Sequence, residues 1–379
     1  MKKVLFFYPD NPLINNQGNN ARAFELLTYF KEENFKVDFI GETQENFTSE
    51  NLPELTSSNL VDKAYILSKR KHSGLTYLFM HSIAGLLKNG TKKFNRIGVG
   101  QQAEFEKILA NNTYDYIVIS YVLFAPFIKN KKLLKGAKTI VDTHDFFTAQ
   151  FNTEKNKNLG NNLDTEIKYL KKFDSIWTIS GEEQFIFSQF LPNKNIITIP
   201  HGIENYSENK IDNPIIDLFY VGSNNPHNTS SAKWFFENVY PLLPNTIKIT
   251  VVGRVCEAVP DKKNIEKIEY VKDLADFYTN TKITICPMLS GTGLKIKVVE
   301  SLSYGIPVVC NERGVDGLLN KINNGCLATN NPTNFANYIL KLLNDPSYYR
   351  LHTSYAKEFF SASLDKKIVK TKLNEFFSN

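Results

Sequence analysis

An α/β protein of two similar halves, each built on a parallel sheet, is what this sequence predicts. Short apolar runs that end in polar residues alternate with stretches whose apolar residues recur at helical spacing. That alternation stops at a polar, Asn-bearing stretch over 204–214 and begins again after it. The 379 residues, 42% hydrophobic and 22% charged, have a globular composition and are enough for two cores.

In the first half, residues 4–8 (Val4 to Tyr8) form the first apolar run and read as a buried strand. A polar loop follows over 10–20 and contains Gly18. A helix is expected from about Asn20, because Ala23, Leu26, Leu27 and Phe30 have core spacing. Further strands are expected at 37–40, 116–120, 139–142 and 176–180. The region 65–105 differs: it is basic (Lys69, Arg70, Lys71, Lys88, Lys92, Lys93, Arg96) and carries an apolar stretch over 75–87. Two readings stay open there, a helical excursion packed on its own domain, or an acceptor-side or membrane-facing element resting on anionic lipid. The strand at 196–199 stops at Pro200, with His201 and Gly202 forming a turn.

In the second half, strands are expected at 218–221, 248–252, 283–286 and 308–309. The loop 222–228 leads to a helix capped by Thr229 or Ser230 and containing Trp234, Phe235 and Val239. A short helix is expected over 273–278, another over 333–343 and a last amphipathic one over 364–377. The expected domains are 1–203, a linker at 204–214, a second domain at 215–355, and a helical segment at 356–379 that packs back towards the first domain.

Composition excludes several function classes. A net charge of +6 fits an anionic ligand or an acidic membrane surface and is too weak to argue for nucleic acid. The four cysteines (Cys256, Cys286, Cys310, Cys326) have no metal-type spacing. Cys286 and Cys310 end apolar runs, read as buried free thiols, and suit a reducing, cytoplasmic compartment. The run at 4–8 is too short for the core of a signal peptide, and no run of about 18 apolar residues marks a membrane span. No Ser-His-Asp arrangement, His/Cys/Asp cluster or strand-end Asp-x-Asp appears, so neither a metal nor a cofactor is expected.

The most informative stretch is 290–309. Ser290, Gly291, Thr292, Gly293, Leu294 and Lys295 form a Gly-rich turn that runs into an apolar-periodic helix, which ends at Gly305 before Pro307 opens a strand. Such a turn aims free amides and the positive end of a helix at one point, an arrangement that holds phosphate. Lys297 and Glu300 are three apart and share a helix face. An ammonium and a carboxylate there suit the phosphates and the ribose hydroxyls of a nucleotide. The same residues also describe an ordinary turn with a surface ion pair.

Taken together, the chain resembles a GT-B fold glycosyltransferase of family 4. The resemblance is strongest over 217–327. Its marks there are Asp217-Leu-Phe-Tyr-Val-Gly-Ser-Asn-Asn-Pro-His-Asn228, Trp234-Phe-Phe, Val251-Val-Gly-Arg254, Tyr270-Val-Lys-Asp-Leu274 and the 290–309 stretch. Looser marks in the first half are the Gly18 loop, Arg22, Asp142-Thr-His-Asp145 and the strand ending at Ser180. The resemblance implies two Rossmann-like domains whose parallel sheets face a cleft, the first on the acceptor side and the second binding a UDP or GDP sugar. It implies retaining, metal-independent transfer to a glycan, lipid-linked or protein-linked hydroxyl in bacterial surface glycan synthesis. Peripheral contact with the inner face of the cytoplasmic membrane is also expected.

Residue by residue, it implies that Glu300 accepts from the ribose hydroxyls and Lys297 neutralises the leaving diphosphate. Gly291, Thr292, Gly293 and Leu294 frame the same phosphate, and Val271 meets the base. Gly18 lets the first-domain loop approach the donor. His144 is the sugar-contacting histidine. His201 is read as structural, and Arg22 as a helix-face residue that solvates. Two departures stand out. The first acid of the family's Glu-x7-Glu motif is Thr292 here. The usual Gly-Arg…Lys-Gly phosphate clamp is replaced by 222–228, so Ser223, Asn225, His227 or Lys295 would bind donor oxygens instead. A non-catalytic glycan-binding or stabilising subunit of the same fold, and a nucleotide-sugar epimerase, are the alternatives.

Overall fold

A computed structural model describes residues 1–14, 18–45, 47–68, 94–150, 158–209, 211, 213–291 and 293–378. The chain divides into two compact units, Met1–Ile199 and Pro200–Asn379.

The first unit holds strands β1 (Lys3–Phe7), β2 (Lys36–Glu42), β3 (Lys63–Leu67), β4 (Tyr116–Ser120), β5 (Lys138–Asp142), β6 (Ser175–Thr178) and β7 (Asn195–Thr198). They form one parallel sheet in the order β3-β2-β1-β4-β5-β6-β7. Helices α1 (Gly18–Glu32), α2 (Leu52–Ser57), α3 (Gln101–Asn111), α4 (Phe147–Gln150), α5 (Leu159–Leu170) and α6 (Gly181–Phe190) connect them. A sheet covered on both faces needs strands apolar on both sides. β1 meets this with Val4, Leu5, Phe6 and Phe7, all fully buried. Phe7 packs on Phe124 and Phe127, with ring centroids 4.7 and 5.0 Å apart. Phe6 meets Phe30 of α1 edge-on at 6.2 Å.

The second unit repeats the plan. Its strands are β8 (Ile216–Val221), β9 (Ile249–Val252), β10 (Ile265–Ile268), β11 (Thr281–Cys286), β12 (Val308–Cys310) and β13 (Cys326–Ala328). They too are parallel, in the order β10-β9-β8-β11-β12-β13. Helices α7 (Pro226–Trp234), α8 (Ala275–Thr279), α9 (Ile296–Ser303), α10 (Pro332–Asn344), α11 (Pro346–Ser363) and α12 (Lys366–Ser378) complete it. Leu218, Tyr220, Val251, Ile283 and Ile285 pack on Phe235, Val239, Phe335 and Ile339. In each sheet the strand order reverses beside the first strand, at β1/β4 and at β8/β11, where such sheets place ligands beyond their carboxyl ends.

Three strands were not foreseen: β3, β10 and β13. All lie at sheet edges: β3 opens on an exposed Lys, β10 alternates Ile with Glu and Lys, and β13 is only three half-buried residues, Cys-Leu-Ala, too short to stand out as an apolar run. The start of α7 also moves. Asn225, not Thr229 or Ser230, is the cap: its side chain accepts from Asn228 N at 2.8 Å, and Pro226 takes the first helical position. Residues of the expected linker sit with the second unit. Tyr206 N donates to Ser303 O (2.9 Å) and its ring stacks on Tyr304 at 5.0 Å. Ile203 is hydrogen-bonded to Leu364 and Lys366 at the break between α11 and α12. The apolar stretch 75–87 and the basic residues Lys69, Arg70, Lys71, Lys88, Lys92 and Lys93 lie outside the described residues.

The loops after β8 and β9 cross closely. Gly253 has φ +100°, and a Cβ there would lie 2.2 Å from Gly222 O. Gly136, with φ +87°, has open space around it. Gly136→Ala is expected to lose about 1–2 kcal/mol from the left-handed backbone alone. Gly253→Ala should lose clearly more, because the loops must also part. Urea unfolding of both variants checks this, and equal losses would contradict the crossing.

Candidate functional site

The second unit gathers most of the residues singled out. Gly291 (φ +93°) and Gly293 (φ +74°) take left-handed conformations that side chains resist, and so shape the turn before α9. Thr292 lies outside the described residues. Leu294 is wedged on Gly317, where a Cβ would come within 2.9 Å of Leu294 Cα. Lys295 is buried and turns back on the loop: its Nζ donates to Gly293 O at 2.7 Å and lies 3.5 Å from Gly291 O. Its ammonium thus ties the turn rather than projecting beyond it. α9 begins after Lys295, and no side chain caps it. Val298 N and Val299 N donate to Lys295 O (2.8 and 3.2 Å), which leaves the amides of Ile296 and Lys297 with no acceptor within the helix.

Lys297 and Glu300 are on α9, both half-buried. Lys297 Nζ donates to Asn228 Oδ1 at 3.0 Å and sits 5.0 Å from the centre of the Tyr220 ring. Burial lowers its pKa, while Cys286 and Glu300 oppose that shift. Glu300 Oε2 accepts from Tyr278 OH at 2.7 Å. Burial raises the Glu300 pKa, and the Tyr278 bond, His201 and Lys297 pull it back.

The loop after β8 faces this helix. Asn225 Nδ2 donates to Ser223 Oγ (3.1 Å), and Asn228 Nδ2 donates to Ser223 O (3.1 Å). His227 Nδ1 lies 2.8 Å from Ser290 Oγ, so His227 joins this loop to the Gly-rich turn. Ser223, Asn225, His227, Gly291, Gly293 and Lys297 are therefore one connected group. Val271 is half-buried against the cluster of Phe219, Val252 and Tyr278.

In the first unit, Gly18 opens α1. The next two residues bind aromatic hydroxyls: Asn19 Nδ2 donates to Tyr121 OH (3.0 Å), and Tyr8 OH donates to Asn20 Oδ1. Arg22 does not solvate its helix face. It is buried and grips Asp142 with Nε (2.9 and 3.0 Å) and a terminal nitrogen (2.6 Å). Burial would raise the Asp142 pKa, but Arg22 and His144 more than offset it and hold the carboxyl well below its ordinary range. His144, at φ 60°, places Nε2 2.9 Å from Asp142 Oδ2, not on Asp145, and stacks on Tyr121 at 4.2 Å. Tyr8, Asp10, Asn19, Glu42, Arg96, Tyr121, Phe124, Asp145 and Phe147 line a cavity of about 650 Å³.

Two residues at these sites escaped the sequence reading as ligands or supports. Asn228 was only the end of a motif, although an Asn-Pro-x-Asn pattern at a helix start is a capping signal. Tyr278 gave no signal, since an aromatic before a strand reads simply as core. Among the described residues, no three His, Cys, Asp or Glu side chains converge as metal ligands, and no helix is long and apolar enough to cross a membrane.

Residues 216–345 match the family model of the group 1 glycosyl transferases. Over 97% of its length the chain is 24% identical to a Klebsiella pneumoniae protein described as an uncharacterized 44.6 kDa protein in the cps region, of which it covers 98%. Among solved structures it is similar to Anabaena HepE in complex with UDP-glucose (13% identity, TM-score 0.67, all of both chains). It is also similar to sucrose-phosphate synthase from Thermosynechococcus elongatus (16%, TM-score 0.68, all of this chain and 98% of the other). The fold is the GT-B fold, two Rossmann-like units with parallel sheets.

The Glu300 environment makes a pH prediction. Its folded pKa is raised, so the stability tied to its protonated form is lost as pH rises through that pKa. Tyr278 donates to the charged form and so lowers the value. Tyr278→Phe removes a bond worth about 1.5–3 kcal/mol. The midpoint is then expected to rise by about one unit or more. Carbon NMR of glutamate-labelled protein reads this directly, and an unchanged or lower midpoint would contradict it.

Proposed function

We propose that the protein is a retaining glycosyltransferase that moves a sugar from a UDP or GDP sugar to a hydroxyl of a glycan, lipid-linked or protein-linked acceptor. The observation that carries this reading is the second-unit group. A left-handed glycine turn, an uncapped helix start, and a lysine and a glutamate three apart on that helix are joined to the loop after β8 at the strand-order switch. The family-model match covers the same residues, and HepE was solved with UDP-glucose. The Klebsiella relative from a cps region supports surface glycan assembly as the setting.

In this reading Glu300 accepts from the ribose hydroxyls, with Tyr278 keeping it ionised and oriented. The amides of the turn and of α9, with Lys297, face the diphosphate. As the bond from anomeric carbon to phosphate oxygen breaks, its electron pair moves onto the phosphate, where Lys297 and the amides meet the growing charge. The acceptor hydroxyl attacks the same face, and the departing phosphate oxygen takes its proton. For His144 the proposal is the family's role, contact with the donor sugar. The aromatic and carboxylate lining of the first-unit cavity suits the acceptor's sugar. Transfer needs no metal in this scheme, and membrane contact at the acceptor side is part of the proposal.

The missing acid at Thr292 favours one competing reading, a non-catalytic subunit of the same fold. Thermal-shift screening of UDP and GDP sugars, then donor hydrolysis without acceptor, separates the two, because a binding subunit would show no hydrolysis. Lys297→Ala should lower kcat roughly 100- to 1,000-fold, with a smaller loss in donor affinity. Equal losses would contradict selective stabilisation of the leaving group.

A further inference from the structure

Asn228, 6% exposed, is hydrogen-bonded to Ser223, Asn225, Lys297 and Tyr220. Its Nδ2 donates to Ser223 O at 3.1 Å and lies 3.3 Å from Ser223 Oγ. Since the amide hydrogens point to Ser223, Oδ1 is turned the other way, where it accepts from Lys297 Nζ at 3.0 Å. Tyr220 OH donates to the Asn228 backbone carbonyl (3.2 Å), while the same ring lies 5.0 Å from the Lys297 ammonium. Gly222 closes the other side, since a Cβ there would be 3.1 Å from Asn228 Cγ. The amide is thus fixed in one orientation, with its oxygen on the lysine.

The identity of that acceptor matters. An ammonium taken largely out of water needs hydrogen-bond partners. A carboxylate would satisfy it but would also cancel its charge and repel an incoming phosphate. An amide oxygen accepts one N–H and leaves the net charge intact, and the other two N–H groups of the lysine stay available. No arginine or lysine stands in the loop 222–228, so Lys297 receives no cationic help from that side.

We propose that Asn228 is a positioning residue that aims the Lys297 ammonium through an uncharged oxygen, so that the cation keeps its full charge for a nucleoside diphosphate. This rests on the donor-site reading above. It makes a prediction that a purely structural role would not. Aspartate keeps the shape of asparagine but cannot donate to Ser223 O and sets a carboxylate oxygen against it, so damage to the loop alone weakens nucleoside and diphosphate binding together. The charge argument predicts a loss confined to the diphosphate, and a deeper one in Asn228→Asp than in Asn228→Ala.

The test measures binding of UDP and GDP, and of the matching nucleosides, to the full-length wild type, N228A and N228D, by calorimetry or, for the weakly held nucleosides, by NMR. For whichever diphosphate the wild type binds, N228D is expected to lose roughly 10- to 100-fold in affinity. N228A should lose less, and nucleoside binding should stay within about twofold in both. N228D binding the diphosphate as well as N228A or better, or equal losses for nucleoside and diphosphate, would overturn the proposal. If N228D does not fold, N228A alone decides: a loss confined to the diphosphate supports the proposal, and a loss shared with the nucleoside overturns it. A wild type that binds neither diphosphate would instead overturn the donor-site reading, and this inference with it.

Discussion

A desolvated cation whose hydrogen bond goes to an amide, rather than to a carboxylate, is the interaction on which the second unit's chemistry depends. Lys297 is held by Asn228 and by the face of Tyr220. Burial works against its charge, and an ammonium in such a place attracts an anion strongly when one arrives. The surroundings serve that condition. Lys295, the nearer cation in sequence, is occupied by loop carbonyls. Glu300 is engaged by Tyr278, which keeps its carboxylate pointed elsewhere while leaving it a weak attractive influence on the lysine.

The first unit solves the opposite problem. Arg22 and Asp142 are both buried, and three close contacts bind them to each other. Their charges cancel, so the pair is suited to holding structure. Removing either partner alone would strand the other, with a penalty of about 3–5 kcal/mol. What the pair supports is the end of β5, where His144 stands in a left-handed conformation between Asp142 and the Tyr121 ring. A non-glycine residue persists in that conformation only when its surroundings over-determine it.

Much of this was legible in the sequence where physics makes a pattern local. Strands covered on both faces must be apolar throughout, and so β1, β4, β5, β8 and β11 announced themselves. Edge strands need not be: β3 and β10 carry exposed Lys or Glu, and β13 is only three residues long, so none of them stands out. Lys297 and Glu300 were visible because helical spacing puts them on one face. Asn228 and Tyr278 were not, since each meets its partner only after a long stretch of chain has folded. Arg22 was misjudged for the same reason. Helix position suggested a solvated side chain, but its carboxylate partner is 120 residues away.

The clasp formed by Lys295 has its own consequence. A glycine-rich bend with two left-handed residues would by itself sample many shapes and would have to be ordered by whatever it binds. Here a side chain from the bend's own far end fastens two of its carbonyls before any ligand is present. The loop thus meets its guest already set, so that less of the attraction is consumed in freezing backbone and more survives as grip.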